Sequence, residues 1–107
     1  MSKSVVITAA TRTAIGSLGK SLKNISGDEL GSTVIKETIR RSKITPGDVD
    51  EVIMGQVLTG GAGQNPARQS AMKCGIPKEK PAFIVNQVCG SGLRSVASGF
   101  QSIKAGD

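Results

Sequence analysis

Three runs rich in β-branched and aliphatic residues, at 4–9, 51–57 and 82–88, are separated by segments whose apolar positions recur at helical intervals. This alternation restricts the fold more than any other feature. Strands that alternate with helices pair in parallel through crossover connections, and a parallel sheet needs helical cover on both faces. The first helix is predicted from Ser26 and Glu29, spaced as a capping box, followed by Leu30, Val34, Ile35 and Ile39 and closed near Arg40 and Arg41. Thr45-Pro46-Gly47-Asp48 reads as a brief capped turn before the second strand, and Gly55 inside that strand implies a close neighbour. Asn65 as cap and Pro66 in the first turn open a second helix that Gly75 and Pro77 end. Cys89-Gly90-Ser91-Gly92 then turns the third strand into a helix carrying Leu93, Val96, Ala97, Phe100 and Ile103 at helical spacing, with Gly106 as its cap.

The expected order is therefore β-α-β-α-β-α, an α/β fold with an incomplete parallel sheet. Three strands close a domain poorly, and the sequence stops where a doubly wound fold would send in its next strand. Residues 1–107 are expected to be one portion of a larger domain, with no internal boundary.

Composition narrows the function classes. Fourteen Gly, two Phe and no Trp or Tyr leave a thin aliphatic core. The formal net charge is +6, but the basic residues scatter and two aromatics offer little for bases to stack on, so nucleic acid is not an expected partner. Lys20, Lys23, Arg40, Arg41 and Lys43 read most simply as a solvated face, although phosphates of a large cofactor can use such groups. Met1-Ser2-Lys3-Ser4 leads into Val5-Val6-Ile7, a run too brief for a signal-peptide core or a membrane span, which implies a cytoplasmic protein without membrane association. The chain has no His, so a complete Ser-His-Asp or Cys-His set cannot be assembled within it.

Two cysteines remain as candidates for chemistry. Cys74 and Cys89 lack the spacing of a disulfide framework or a zinc site, and no metal is expected. Cys89 lies where a strand gives way to a helix, followed by glycines that let backbone amides approach a ligand. Unpaired N–H groups and partial positive charge at a helix N-terminus favour a thiolate and can hold an oxyanion, which makes acyl transfer the natural reaction class. A small hydrophobe packed in a turn fits the same spacing, and the local pattern leaves both readings open. Cys74 precedes Gly75 at a helix C-terminus, where the dipole disfavours a thiolate, and reads as packing. Ser91 lacks the flanking pattern of a G-x-S-x-G elbow and reads as a turn former or cap. Gly61-Ala62-Gly63-Gln64-Asn65-Pro66 departs from a dinucleotide fingerprint at Pro66 and reads as a flexible loop. Gln64, Asn65 and Arg68 are candidate interface, loop-anchoring or capping groups.

Val85-Asn86-Gln87-Val88-Cys89-Gly90-Ser91-Gly92-Leu93 resembles the nucleophile motif of the thiolases, in their biosynthetic acetyl-CoA C-acetyltransferase branch. Arg12-Thr13-Ala14-Ile15-Gly16, Val52-Ile53-Met54-Gly55 and Gly63-Gln64-Asn65-Pro66-Ala67-Arg68-Gln69 resemble further stretches of that family, in the family's order. Ala14-Ile15 stands where Pro-Phe is common and Cys74 where alanine is usual, departures that touch only local packing.

The resemblance implies a thiolase-like fold, of which this chain supplies part of the N-terminal half. It implies that Cys89 accepts an acyl group from an acyl-CoA as a thioester, with its own backbone amide helping to hold the oxyanion. A second acetyl-CoA then attacks in a Claisen condensation to give acetoacetyl-CoA, or thiolysis runs the reverse. Acetyl-CoA and CoA would be substrates, with no further cofactor. The family's second cysteine, its His and most CoA contacts lie in later segments, so the remainder of a thiolase chain is an implied partner. A homodimer or homotetramer is implied, with the strand before Cys89 near its two-fold interface. Two other functions are consistent with the same fold: a non-catalytic module that binds lipid or a partner, and decarboxylating condensation as in the related ketoacyl synthases, against which the residues around Cys89 argue.

Overall fold

The computed structural model describes residues 4–107; Met1 to Lys3, the start of the segment read above as lacking an export signal, lie outside the described residues. The order is α1 (Gly27–Ser42), a 3-10 turn (Pro46–Asp48), β1 (Val52–Gly55), α2 (Pro66–Lys73), β2 (Ala82–Val85) and α3 (Ser91–Ala105). The helix starts follow their local chemistry. Ser26 and Glu29 form the expected reciprocal box, the Glu29 amide donating to Ser26 Oγ at 3.3 Å and the Ser26 amide to Glu29 Oε2 at 3.0 Å. Asp28 and Glu29 sit in the first turn of α1 and Arg40 and Arg41 in its last, matching the helix dipole at both ends. The 3-10 turn is closed by the Thr45 amide donating to Asp48 Oδ2 at 2.8 Å.

β1 and β2 pair in parallel in register Val52↔Ala82 through Gly55↔Val85. Helices cover both faces: α1 and α2 pack together on one, while α3 packs mainly on β1 without joining them. The period of two along β1 sorts its side chains accordingly. Val52 and Met54 belong with Ile39, Ala67, Ala71, Cys74 and Ile76 in the core beneath α1 and α2. Ile53 and Gly55 face α3, and a Cβ at Gly55 would lie 2.3 Å from the carbonyl carbon of Ser91. The close neighbour expected at this glycine is thus the first turn of the helix that follows Cys89. Asp28 and Lys73 form an ion pair between α1 and α2, which lowers the Asp28 pKa and raises that of Lys73 through their hydrogen bond.

One expected strand is absent. Residues 4–9 form no ladder, and Val6 and Ile7 are 73% and 77% exposed. The segment runs beside α1 instead: Thr8 Oγ1 meets Ser42 Oγ at 2.8 Å and Thr11 Oγ1 donates to the Val34 carbonyl at 3.1 Å. Strand propensity expresses a fit to a pleated, half-buried surface, and these mostly exposed residues join neither β1 nor β2. Between this segment, α1 and β1 lies an apolar groove of about 350 Å³. The sheet accordingly has two strands rather than three. Leu93, Val96, Phe100 and Ile103 form an uncovered apolar face on α3. No helix among the described residues is long and apolar enough to cross a membrane.

Candidate active site

The third apolar run leaves the sheet earlier than its pattern predicts. β2 ends at Val85, and the next residues form a tight turn in which the Gly90 amide donates to the Gln87 carbonyl at 3.0 Å and the Ser91 amide to the Val88 carbonyl at 3.1 Å. Val88 has φ 48, in the left-handed region that a β-branched residue rarely occupies, at a cost on the order of 1–3 kcal/mol. Cys89 follows immediately and is exposed, with a free thiol. Among the described residues, then, nothing packs this thiol as a small buried hydrophobe.

Ser91 is 3% exposed and fully engaged. Its Oγ accepts from the Gln87 amide at 2.8 Å and donates to the Val88 carbonyl at 2.6 Å. A hydroxyl so engaged is a turn former rather than a nucleophile, and the structure places it as the first residue of α3, with Gly90 at the cap position. Gly90 has no side chain to cap the helix. The Arg94 amide reaches back to the Gly90 carbonyl at 2.9 Å, whereas those of Gly92 and Leu93 have no acceptor among the described residues. Uncapped amides at a helix start carry partial positive charge and can donate to an oxygen that approaches the exposed thiol. Beside the turn lies a recess of about 240 Å³ lined by Gln87, Gly90, Leu93, Arg94 and Ala97.

The other candidates separate from this turn. Cys74 is buried at the end of α2, its thiol donating to the Ala71 carbonyl at 3.4 Å, and burial pushes its pKa up. It packs, as its place at a helix C-terminus suggested. Asn65 caps α2, Oδ1 accepting from the Arg68 amide at 3.1 Å, while its Nδ2 donates to the Ala82 carbonyl at 2.9 Å and ties the loop to β2. Arg68 donates to the carbonyls of Lys80 and Lys78 at 3.0 and 2.8 Å. Gln69 donates to those of Ala62 and Gln64 and fastens the glycine loop. Asn65 and Arg68 are loop anchors, and Gln69 is an anchor that spacing did not single out. Arg40 and Arg41 pair with Glu37 on the surface, and their hydrogen bonds lower its pKa to about 2.

Asn86 is the residue of this turn that spacing signals least. Its Oδ1 accepts from the Val88 amide at 2.9 Å, and its Nδ2 donates at 3.1 Å to the carbonyl of Val57, beyond the end of β1. An asparagine two residues before a turn position is the available signal, since its side chain closes such turns.

A family model described as "Thiolase, N-terminal domain" matches residues 5–107. The chain belongs to the thiolase family. Among curated relatives, the acetyl-CoA acetyltransferase of Rhizobium meliloti (strain 1021) is 55% identical over 97% of this chain and 26% of its own length. That of Chromobacterium violaceum is 56% identical over 96% of this chain and 26% of its own. The chain thus spans about a quarter of the length of these thiolases. Among solved structures, the Bacillus anthracis acetyl-CoA acetyltransferase superposes with a TM-score of 0.90 at 36% identity, covering 94% of this chain and 26% of that one. A thiolase from Ascaris suum, solved in complex with coenzyme A, superposes with a TM-score of 0.82 at 38% identity, covering 84% of this chain and 24% of that one. These likenesses make the α/β architecture that of a thiolase N-terminal domain, with two parallel strands described.

Proposed function

We propose that this chain contributes the acyl-accepting part of an acetyl-CoA acetyltransferase, with Cys89 as nucleophile. The observation that carries the reading is the exposed Cys89 thiol beside an uncapped helix start, within a thiolase N-terminal domain. The Cys89 thiolate attacks the carbonyl carbon of an acyl-CoA, and the carbonyl oxygen takes up negative charge that backbone amides at this turn can hold. Collapse of the tetrahedral intermediate breaks the carbon–sulfur bond to CoA, whose sulfur leaves with the bonding electron pair and takes up the proton that the base had removed from the Cys89 thiol, and the acyl group stays on Cys89 as a thioester. A second acetyl-CoA, as carbanion, then displaces Cys89 and forms the new carbon–carbon bond. Thiolysis of acetoacetyl-CoA is the reverse.

The sequence has no His, so the base for this cycle comes from outside residues 1–107. The relatives' greater length accommodates such a contribution, and residues 1–107 form one part of that catalytic unit. A soluble cytoplasmic homo-oligomer using CoA thioesters, with no further cofactor, completes the proposal.

The test is labelling of the full-length protein with radioactive acetyl-CoA. A covalent acyl-enzyme is expected, and Cys89→Ala should abolish it; persistent labelling of that variant would remove Cys89 from the role. A correctly folded protein that takes up no label at all would favour the non-catalytic binding module.

A further inference from the structure

We propose that Asn86 and Ser91 are positioning residues for Cys89, gripping the two polar backbone groups of Val88 and so holding the left-handed elbow from which Cys89 projects. The inference rests on the reading of Cys89 as acyl acceptor and deepens it. Val88 occupies φ 48 without a glycine's freedom, although Gly90 and Gly92 stand within four residues of it. A turn serving only to reverse the chain places Gly or Asn at such a position, so strain retained by a valine beside the nucleophile points to a geometry held for its own sake.

Both of its polar groups are held. The Val88 amide donates to Asn86 Oδ1 at 2.9 Å, and its carbonyl accepts from Ser91 Oγ at 2.6 Å and from the Ser91 amide at 3.1 Å. Neither clamp residue is adrift. Asn86 is moored by its Nδ2 to the Val57 carbonyl, and Ser91 is buried, its Oγ also accepting from Gln87, with its backbone against Gly55. The elbow is thereby referred to the ends of both strands, and the thiol keeps a fixed place relative to the first turn of α3.

The experiment follows the rate of alkylation of the Cys89 peptide by iodoacetamide at one fixed pH in the full-length protein, beside acetyl transfer. Asn86→Ala and Ser91→Ala should each slow alkylation about threefold or more and lower kcat about tenfold or more, with a smaller change in KM. Adding Val88→Gly to Ser91→Ala should restore part of both, because glycine adopts the left-handed conformation unaided. Asn86 is exposed, so its variant keeps the test open if the buried Ser91→Ala fails to fold. An alkylation rate unchanged in Asn86→Ala overturns the clamp, whatever happens to kcat, and so does a Ser91→Ala slowing that Val88→Gly leaves in full. Retained acetyl transfer in Cys89→Ala instead overturns the function on which the clamp rests, so the two failures are distinguishable.

Discussion

Helices α2 and α3 both begin after a strand and a loop, and both starts hold a non-glycine residue in the left-handed region: Asn65 at φ 44 and Val88 at φ 48. At α2 the strained residue is itself the cap, its side chain satisfying the Arg68 amide and bonding to β2, and Pro66 removes a further donor. At α3 the strained residue stands ahead of the helix, the cap position is a glycine, and amides are left without side-chain partners. One start is finished by its own residues, and the other leaves donors without a side-chain partner. The cysteines follow the same division, Cys74 buried at the end of α2 and Cys89 exposed ahead of α3. Strand-to-helix junctions of similar backbone shape thus differ in which side chain meets the open amides, Asn65 in one case and none in the other.

The contrast can be broken most directly at the thiols. Under native conditions Cys89 should be alkylated and Cys74 protected, with Cys74 reacting only on unfolding; peptide mapping after brief iodoacetamide treatment reads this, and equal labelling would erase the difference. Gly55→Ala should follow in size. The added Cβ meets the Ser91 backbone at 2.3 Å, so the first turn of α3 must move, at about 2–3 kcal/mol in denaturant titration. An unchanged midpoint would show that α3 is not seated on β1 at this spacing. Asn65→Ala removes the α2 cap and the bond to Ala82 and should cost about 1–2 kcal/mol, whereas Gly90→Ala at the α3 start has no side-chain cap to lose.

The smallest effect belongs to the surface charges. The Glu37 carboxyl titrates at about 2 instead of its ordinary 4.5, because Arg40 and Arg41 hydrogen-bond to it. A carboxylate whose pKa is lowered in the folded state adds stability above its unfolded value and loses it as pH falls through the folded one. Stability should therefore decline between pH 4.5 and about 2, and Glu37→Gln should flatten that slope slightly, since the pair is solvent-screened.

Much of this was legible from local sequence. Ser26 with Glu29, Asn65 with Pro66, and Gly106 each specify a helix terminus within a few residues, so their capping geometry can be read without knowing the fold. Gly55 announced a close contact, although not which element made it. Residues 4–9 had strand composition and formed no strand, because pairing is decided by a distant neighbour rather than by the run itself. Cys89 was legible as a candidate from its place at a strand-to-helix junction, but its exposure was not, since spacing alone also allowed a packed hydrophobe. The Val88 strain and the grip of Asn86 and Ser91 were illegible, for they arise only when the ends of two strands and one helix meet.

Gly55 carries a consequence for how this protein tolerates change. It bears no reactive group, yet the absence of its side chain sets the distance between β1 and the first turn of α3. In a saturation mutational scan, this position should behave like a catalytic one, rejecting even alanine. A survey ranking residues by intolerance alone would place this bare stretch of backbone among residues that carry reactive side chains.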